Sequence, residues 1–68
     1  MYFRIGEDRF RMSSVSRYSK GQKKSVSTGK WYLTVWFGKN ERLFAFSTNK
    51  ELESVVAYMD NVFKVQVI

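Results

Sequence analysis

The chain has 68 residues, with twelve Lys and Arg against six Asp and Glu, which gives a net charge of +6. It contains no His, Cys or Pro, so disulfides, zinc–thiolate sites and Ser–His or Cys–His dyads are excluded. Its apolar content of 44% is typical of a globular rather than a disordered chain. We therefore predict one small non-enzymatic domain over residues 1–68, with no catalytic residue, metal or cofactor.

Charge is divided unevenly along the chain. Residues 1–47 hold ten Lys and Arg against three acids, whereas residues 48–68 hold two against three. No stretch contains the run of about 18 apolar residues that a membrane-spanning helix needs. The N-terminus lacks the apolar core of a signal peptide. We therefore expect a soluble cytoplasmic protein without a membrane partner, located in the host cytoplasm if its source is viral.

The first predicted elements are short strands. Residues 2–5 alternate and are rich in strand formers, and Gly6-Glu7-Asp8 is typical of a turn. Residues 9–18 form a weaker strand pattern that is interrupted by serines. Residues 19–29 are basic and almost without apolar side chains, which predicts a flexible basic loop.

The clearest strand covers residues 30–37, which are dense in aromatic and β-branched side chains. Gly38-Lys39-Asn40 is typical of a hairpin turn, and residues 41–47 form the returning strand.

A helix follows this hairpin. Thr48 and Glu51 form a capping-box pattern that begins a helix at Asn49. The apolar residues at helical spacing are Leu52, Val55, Val56, Met59 and Val62 or Phe63. Asn61 is expected to end the helix in a left-handed conformation. The elements predict an α+β fold: a four-stranded antiparallel sheet with one C-terminal helix packed on one face. Alternation over residues 63–67 allows a short final strand.

Alternation along the strands predicts which side chains point away from the core. In the clearest strand Trp31, Leu33, Val35 and Phe37 share the helix side, so that Tyr32, Thr34 and Trp36 point outward. The same argument in the other strands predicts one open face, free of acids, on which basic and aromatic side chains gather. Its members are Arg4, Arg11, Arg17, Tyr32 and Trp36, with Tyr2 near the edge.

Such a face suits single-stranded DNA or RNA, because cations contact phosphates and rings stack on bases, at about 1–3 kcal/mol per base. The loop lysines Lys20, Lys23 and Lys24 would contact the phosphate backbone. Aromatic and Arg side chains are also favoured in protein interfaces. The alternative is therefore a protein-interaction module, such as a viral inhibitor of an acidic host protein. The short apolar chain also favours a homodimer, through the helix or through residues 63–68.

The order of elements resembles the positive-cofactor-four family of single-stranded-DNA-binding transcriptional coactivators. The resemblance covers about residues 3–62 and rests on Phe3-x-Ile5-Gly6-x-x-Arg9-Phe10 and on Phe46-Ser47-Thr48 entering the helix. It implies helix-mediated dimers that bind single strands across their sheets. The basic and aromatic positions that it implies are Arg9, Arg11, Lys20, Lys30 and Trp36.

A second resemblance implies duplex DNA. Gly29-Lys30-Trp31 before a hairpin, and the run from Phe46 to Glu51, look like the three-stranded domains of phage integrase arms and plant Apetala-type factors. Those domains lay a sheet in the major groove. The full predicted nucleic-acid-binding set is Arg4, Arg9, Arg11, Arg17, Lys20, Lys23, Lys24, Lys30, Tyr32 and Trp36.

Overall fold

The computed structural model describes residues 1–21 and 27–68. Two antiparallel sheets precede one helix. The elements are β1 (Tyr2–Ile5), β2 (Asp8–Arg11), β3 (Arg17–Lys20), β4 (Trp31–Phe37), β5 (Asn40–Phe46) and α1 (Asn49–Val62). β1 pairs with β2 as a hairpin, and β3, β4 and β5 pair in that order. The α+β class and the C-terminal helix are confirmed, whereas the single four-stranded sheet is wrong.

The sheet divides because the predicted second strand over residues 9–18 is interrupted. A 3-10 turn over Met12–Ser14 separates β2 from β3. Serine side chains compete with the backbone for hydrogen bonds, which favours such a turn over a continued ladder. After the turn, the Ser16 N–H donates to the Trp36 carbonyl at 2.9 Å and starts the pairing of β3 with β4. β1 and β2 therefore remain a separate hairpin.

Both hairpin turns follow the chemistry that the sequence predicts. Gly6 lies between β1 and β2 with φ 61°, and Gly38 lies between β4 and β5 with φ 66°. Each is the first residue of a two-residue turn that needs a positive φ at this position, which glycine adopts without strain.

The hairpin and the helix both cover the same face of the three-stranded sheet. The buried core consists of Phe3, Ile5, Phe10, Leu33, Val35, Phe44, Leu52 and Met59. Phe10 is stacked on Phe37 with ring centres 5.1 Å apart and meets Phe44 edge-on at 5.4 Å. The predicted inward faces of these strands and of the helix are therefore confirmed, with Trp31 and Phe37 half-buried at the margin.

The helix begins as predicted and ends differently. Thr48 Oγ1 accepts a hydrogen bond from the Glu51 N–H at 3.2 Å, which satisfies a free helix donor. The left-handed residue after the helix is Lys64, with φ 54°, so the prediction for Asn61 is wrong. The Val65 N–H donates to the Asp60 carbonyl at 3.0 Å, as in a Schellman motif. Residues 65–68 form no strand in this chain.

A pair of leucines tests the assignment of the two sheet faces. Leu33 is fully buried, whereas Leu43, on the opposite side of the sheet, is 61% exposed. We expect Leu33→Ala to lower the free energy of unfolding by about 2–5 kcal/mol through the cavity that it leaves. Leu43→Ala should change it by less than about 0.5 kcal/mol. Urea denaturation measures both, and equal effects would contradict the assignment.

The helix end provides a second stability test. Lys64 bears a side chain in the left-handed region, which costs about 1–2 kcal/mol for L-residues. Lys64→Gly should therefore raise the free energy of unfolding by about 1 kcal/mol. Asn61→Gly should lower it, because Asn61 lies inside α1. Thermal denaturation measures both variants. Melting temperatures that shift in the same direction would contradict the assignment of Lys64 as the left-handed residue after the helix.

Candidate nucleic-acid interface

The outward side of the β1–β2 hairpin carries three arginines and a tyrosine. We call this surface the hairpin face; its members are Tyr2, Arg4, Arg9 and Arg11. Strand alternation places them there, because the intervening residues Phe3, Ile5 and Phe10 are buried. All four are exposed, and Tyr2 retains 62% of its accessible surface.

The register brings like charges together on the hairpin face. Arg4 lies directly opposite Arg9, and Tyr2 lies opposite Arg11. The Arg11 guanidinium lies 5.9 Å from the centre of the Tyr2 ring. Arg9 Nη1 donates to the Glu7 carbonyl at 3.0 Å. Within residues 1–21 and 27–68, Arg4 has neither a hydrogen-bonded nor an acidic partner for its side chain, so its charge is not compensated by the fold.

A second surface, the sheet face, is the side of β3, β4 and β5 opposite the core. By register its members are Arg17, Ser19, Tyr32, Thr34, Trp36, Glu41, Leu43 and Ala45. The Arg17 guanidinium covers the Trp36 ring at 4.4 Å. The Tyr32 hydroxyl donates to Thr28 Oγ1 at 2.8 Å. Both aromatic rings are half-buried, so they present less free surface than the sequence predicts.

The sheet face also carries an acid. Glu41 lies in β5 directly opposite Trp36, so the prediction of an outward surface free of acids is wrong. The turn is short, because Gly38 and Lys39 alone connect the paired residues Phe37 and Asn40. Glu41 therefore already belongs to the ladder.

The single open face predicted from the sequence is likewise wrong. The hairpin and the three-stranded sheet turn their apolar sides toward one core, so their outward sides are two separate surfaces. Arg4 and Arg11 lie on the hairpin face, whereas Arg17, Tyr32 and Trp36 lie on the sheet face. The structure also adds Arg9 to the hairpin face, where the residue pattern alone had not placed it.

The predicted lysines are not gathered in one loop. Lys20 lies in β3 and forms an ion pair with Glu53 of the helix, which engages its ammonium group. Lys30 is exposed immediately before β4. Lys23 and Lys24 lie outside the described residues.

Arg42 is an important residue that sequence reasoning missed. Its guanidinium lies 5.6 Å from the centre of the Phe10 ring and 5.2 Å from that of Phe44. Its Nη2 also contacts Asp8 Oδ2 at 3.0 Å. These contacts join β5 to the hairpin and engage the carboxylate of Asp8 away from the hairpin face. The sequence contains one signal for this position, because Arg42 lies two residues from Phe44 and four from Phe46 in β5 and therefore on the core side of the strand.

A tyrosine joins the helix to β3. The Tyr18 hydroxyl donates to Asp60 Oδ1 at 2.7 Å, and the Tyr18 ring lies 5.7 Å from that of Phe63. Burial, followed by the hydrogen bond to Asp60 and its negative charge, raises the pKa of Tyr18 above its usual value. This contact stabilises the arrangement in which both surfaces are displayed.

In the parts of the chain that the structure describes, no three acidic, His or Cys side chains are grouped as metal ligands. No helix over the same residues has the length and apolarity needed to cross a membrane. Comparisons with protein-family models, curated proteins and solved structures found no match to this chain.

The Tyr18–Asp60 contact predicts an alkaline loss of stability. Tyr18→Phe should lower the free energy of unfolding by about 1–2 kcal/mol at neutral pH, because it leaves a carboxylate without its donor. The pKa of Tyr18 is raised in the folded state, so this stabilisation is complete below the usual tyrosine pKa of about 10 and declines above it. The difference between wild type and variant should therefore shrink above about pH 10.

The control for this experiment is Tyr58→Phe, because Tyr58 is an exposed tyrosine of the same helix. Urea denaturation at a series of pH values should show no comparable change for it. A Tyr18→Phe difference that is constant through the alkaline range would contradict the assigned hydrogen bond.

Proposed function

We propose that this protein is a non-enzymatic nucleic-acid-binding domain that prefers single-stranded DNA or RNA and binds it mainly through the hairpin face. The observation that carries the proposal is the Arg4–Arg9 pair, with Arg11 and Tyr2 beside it. Like charges directly opposite in a sheet are destabilising, within the range of about 0.2–1 kcal/mol for cross-strand pairs. A bound phosphate chain attracts both guanidinium groups and thereby offsets their mutual repulsion.

The local charge balance supports an anionic ligand. The Asp8 carboxylate forms an ion pair with Arg42 of β5. Glu7 lies in the turn between β1 and β2 rather than on an outward strand position. The three arginines of the hairpin face therefore act together on a ligand. Guanidinium groups bind phosphates with paired, charge-assisted hydrogen bonds, and a phosphate chain offers many such groups in a row.

The preference for single strands follows from Tyr2. Its ring is largely exposed and lies beside Arg11, so a base can stack on it while its phosphate contacts the guanidinium. In a duplex, base faces are hidden and proteins contact the groove edges instead. Binding of single strands across sheets is also what the coactivator resemblance implies.

Arg17 and Trp36 provide a second contact in this proposal. The Arg17 guanidinium lies 4.4 Å from the centre of the Trp36 ring and Arg17 is exposed, so a base can stack on the guanidinium, since bases stack on guanidinium planes as well as on rings. In this proposal, a strand that extends beyond the hairpin face also contacts this pair, with Lys30 and Tyr32 as further contacts.

A protein-interaction module is the second candidate, and a specific feature of the sheet face favours it. Leu43 is 61% exposed on that surface, and the half-buried Trp36 lies on the neighbouring strand with Glu41 opposite. Mixed apolar and charged side chains of this kind occur at protein interfaces. If this candidate is correct, Leu43→Glu abolishes capture of the protein partner, and the arginines of the hairpin face do not influence it.

The arginine pair provides the principal test. Arg4→Gln/Arg9→Gln should weaken binding of a fluorescent single-stranded oligonucleotide and lower the slope of log affinity against log salt by about 0.7 for each phosphate that the protein no longer neutralises. The matched control is Lys39→Gln/Lys50→Gln, which removes the same charge from exposed positions outside the hairpin face. The control should retain most of the slope. Equal effects of the two double variants would refute a localised site.

The single variant Arg4→Gln also has an expected direction of change in stability. Arg4→Gln removes one member of a like-charged cross-strand pair, so the free energy of unfolding should rise by a few tenths of a kcal/mol, up to about 1. Denaturant unfolding at low salt measures this gain. Reduced binding together with greater stability is the expected signature of a functional charge pair, and reduced stability would contradict it.

Tyr2 separates stacking from charge. Tyr2→Leu should weaken single-strand binding by about 1–3 kcal/mol with little change in salt slope, because a stacked ring displaces no counterions. Tyr2→Phe retains the ring and should retain binding. Titrations with single-stranded DNA, RNA and duplex at two salt concentrations measure both variants. A wild-type preference for duplex, or an effect of Tyr2→Leu confined to the duplex, would overturn the proposal.

A further inference from the structure

An open cleft of about 330 Å³ lies between β1 and the helix, away from the sheet face and next to the hairpin face, with which it shares Arg4. Three consecutive strand residues, Phe3, Arg4 and Ile5, line one side. The other side is one face of α1, where Ser54, Val55 and Tyr58 lie. A cleft between a strand edge and a helix is the shape that accepts an extended peptide as an added strand.

Among residues 1–21 and 27–68, no strand pairs with the edge of β1 that borders this cleft. A two-residue hairpin turn makes Ile5 and Asp8 a hydrogen-bonded pair, and such pairs alternate along an antiparallel ladder. The Met12 N–H donates to the Met1 carbonyl at 3.0 Å, which continues the same series. The N–H and C=O groups of Tyr2 and Arg4 therefore point away from β2, toward the open edge.

The chain also contains a segment suited to such an edge. Residues 65–68, here called the tail, follow the Lys64 turn as Val65-Gln66-Val67-Ile68 and belong to no strand. Val65 is 50% exposed and Val67 98% exposed. Three of the four residues are β-branched, which favours strand formation, and none has a charged side chain.

We propose that the tail of a second copy of this chain adds as a strand to the free edge of β1 and inserts Val65 and Val67 into the cleft. In the symmetric form, two chains exchange tails and each cleft is filled once. The spacing agrees, since Tyr2 and Arg4 offer backbone groups two residues apart and alternate tail residues face one side. One contact then covers an unpaired edge, an apolar cleft and an exposed apolar segment.

Electrostatics favours the tail over other parts of the second copy. Two chains of net charge +6 repel each other, and the cleft is bordered by Arg4. A strand without charged side chains, and apolar at three of its four positions, can approach this edge without adding like charge. The tail is not docked in its own chain, where it leaves the helix after Phe63 and remains exposed.

The oligomeric state tests this proposal. Sedimentation equilibrium of the wild-type chain should give a mass about twice 8.1 kDa. Val67→Glu should weaken the dimer by more than about tenfold, because it carries a charge into an apolar cleft. The matched control, Gln66→Glu, adds the same charge on the opposite side of the tail and should remain dimeric. Both tail positions are exposed in the single chain, so circular dichroism should show an unchanged fold.

The cleft side has its own pair of variants. Ser54→Trp fills the cleft from the helix and should weaken the dimer, whereas Ala57→Trp places the same side chain at an exposed helix position outside the cleft lining. Arg9→Gln, which should weaken nucleic-acid binding, should leave the dimer intact. A monomeric wild type, a dimer that tolerates Val67→Glu, or equal weakening by a variant and its control would each overturn the proposal.

Discussion

Phe10 packs where the hairpin meets the three-stranded sheet, and its contacts determine which side chains become surface. Its ring lies 5.1 Å from Phe37 and 5.4 Å from Phe44, and the Arg42 guanidinium covers it at 5.6 Å. Because strand side chains alternate, burying Phe10 forces Arg9 and Arg11 outward. A requirement of packing therefore produces a surface of concentrated charge, and the register with β1 adds Arg4 to it.

The distribution of acids keeps that charge uncompensated. Four of the six acids make contacts elsewhere in the fold: Asp8 with Arg42, Glu51 with Thr48, Glu53 with Lys20 and Asp60 with Tyr18. The contacts of Asp8, Glu53 and Asp60 hold the hairpin and the helix to the sheet, and that of Glu51 lies within the helix cap. The same interactions that stabilise the domain thus withdraw negative charge from the hairpin face, which leaves a polyanion as the partner that its arginines fit best.

Local patterns predicted the elements that local chemistry determines. The turns at Gly6 and Gly38, the Thr48 cap and the inward faces of β4 and the helix all agree with the structure. The division into two sheets could not be predicted, because the turn at Met12–Ser14 contains neither Gly nor Pro and its effect is to change strand partners. The sequence therefore predicted the candidate residues one by one, but their division between two surfaces depends on this change of strand partner. Lys64, likewise, adopts a conformation that its residue type does not favour.

The most direct test of the account is an NMR titration of the full chain with an unlabelled single-stranded oligonucleotide of about six nucleotides, within the range of site sizes for single-strand-binding domains. Amide shifts should be largest over residues 2–11 and small at Thr34 and Leu43. This result would locate binding on the hairpin face. Shifts confined to β4 and β5, with residues 2–11 unchanged, would contradict the account and assign recognition to the sheet face.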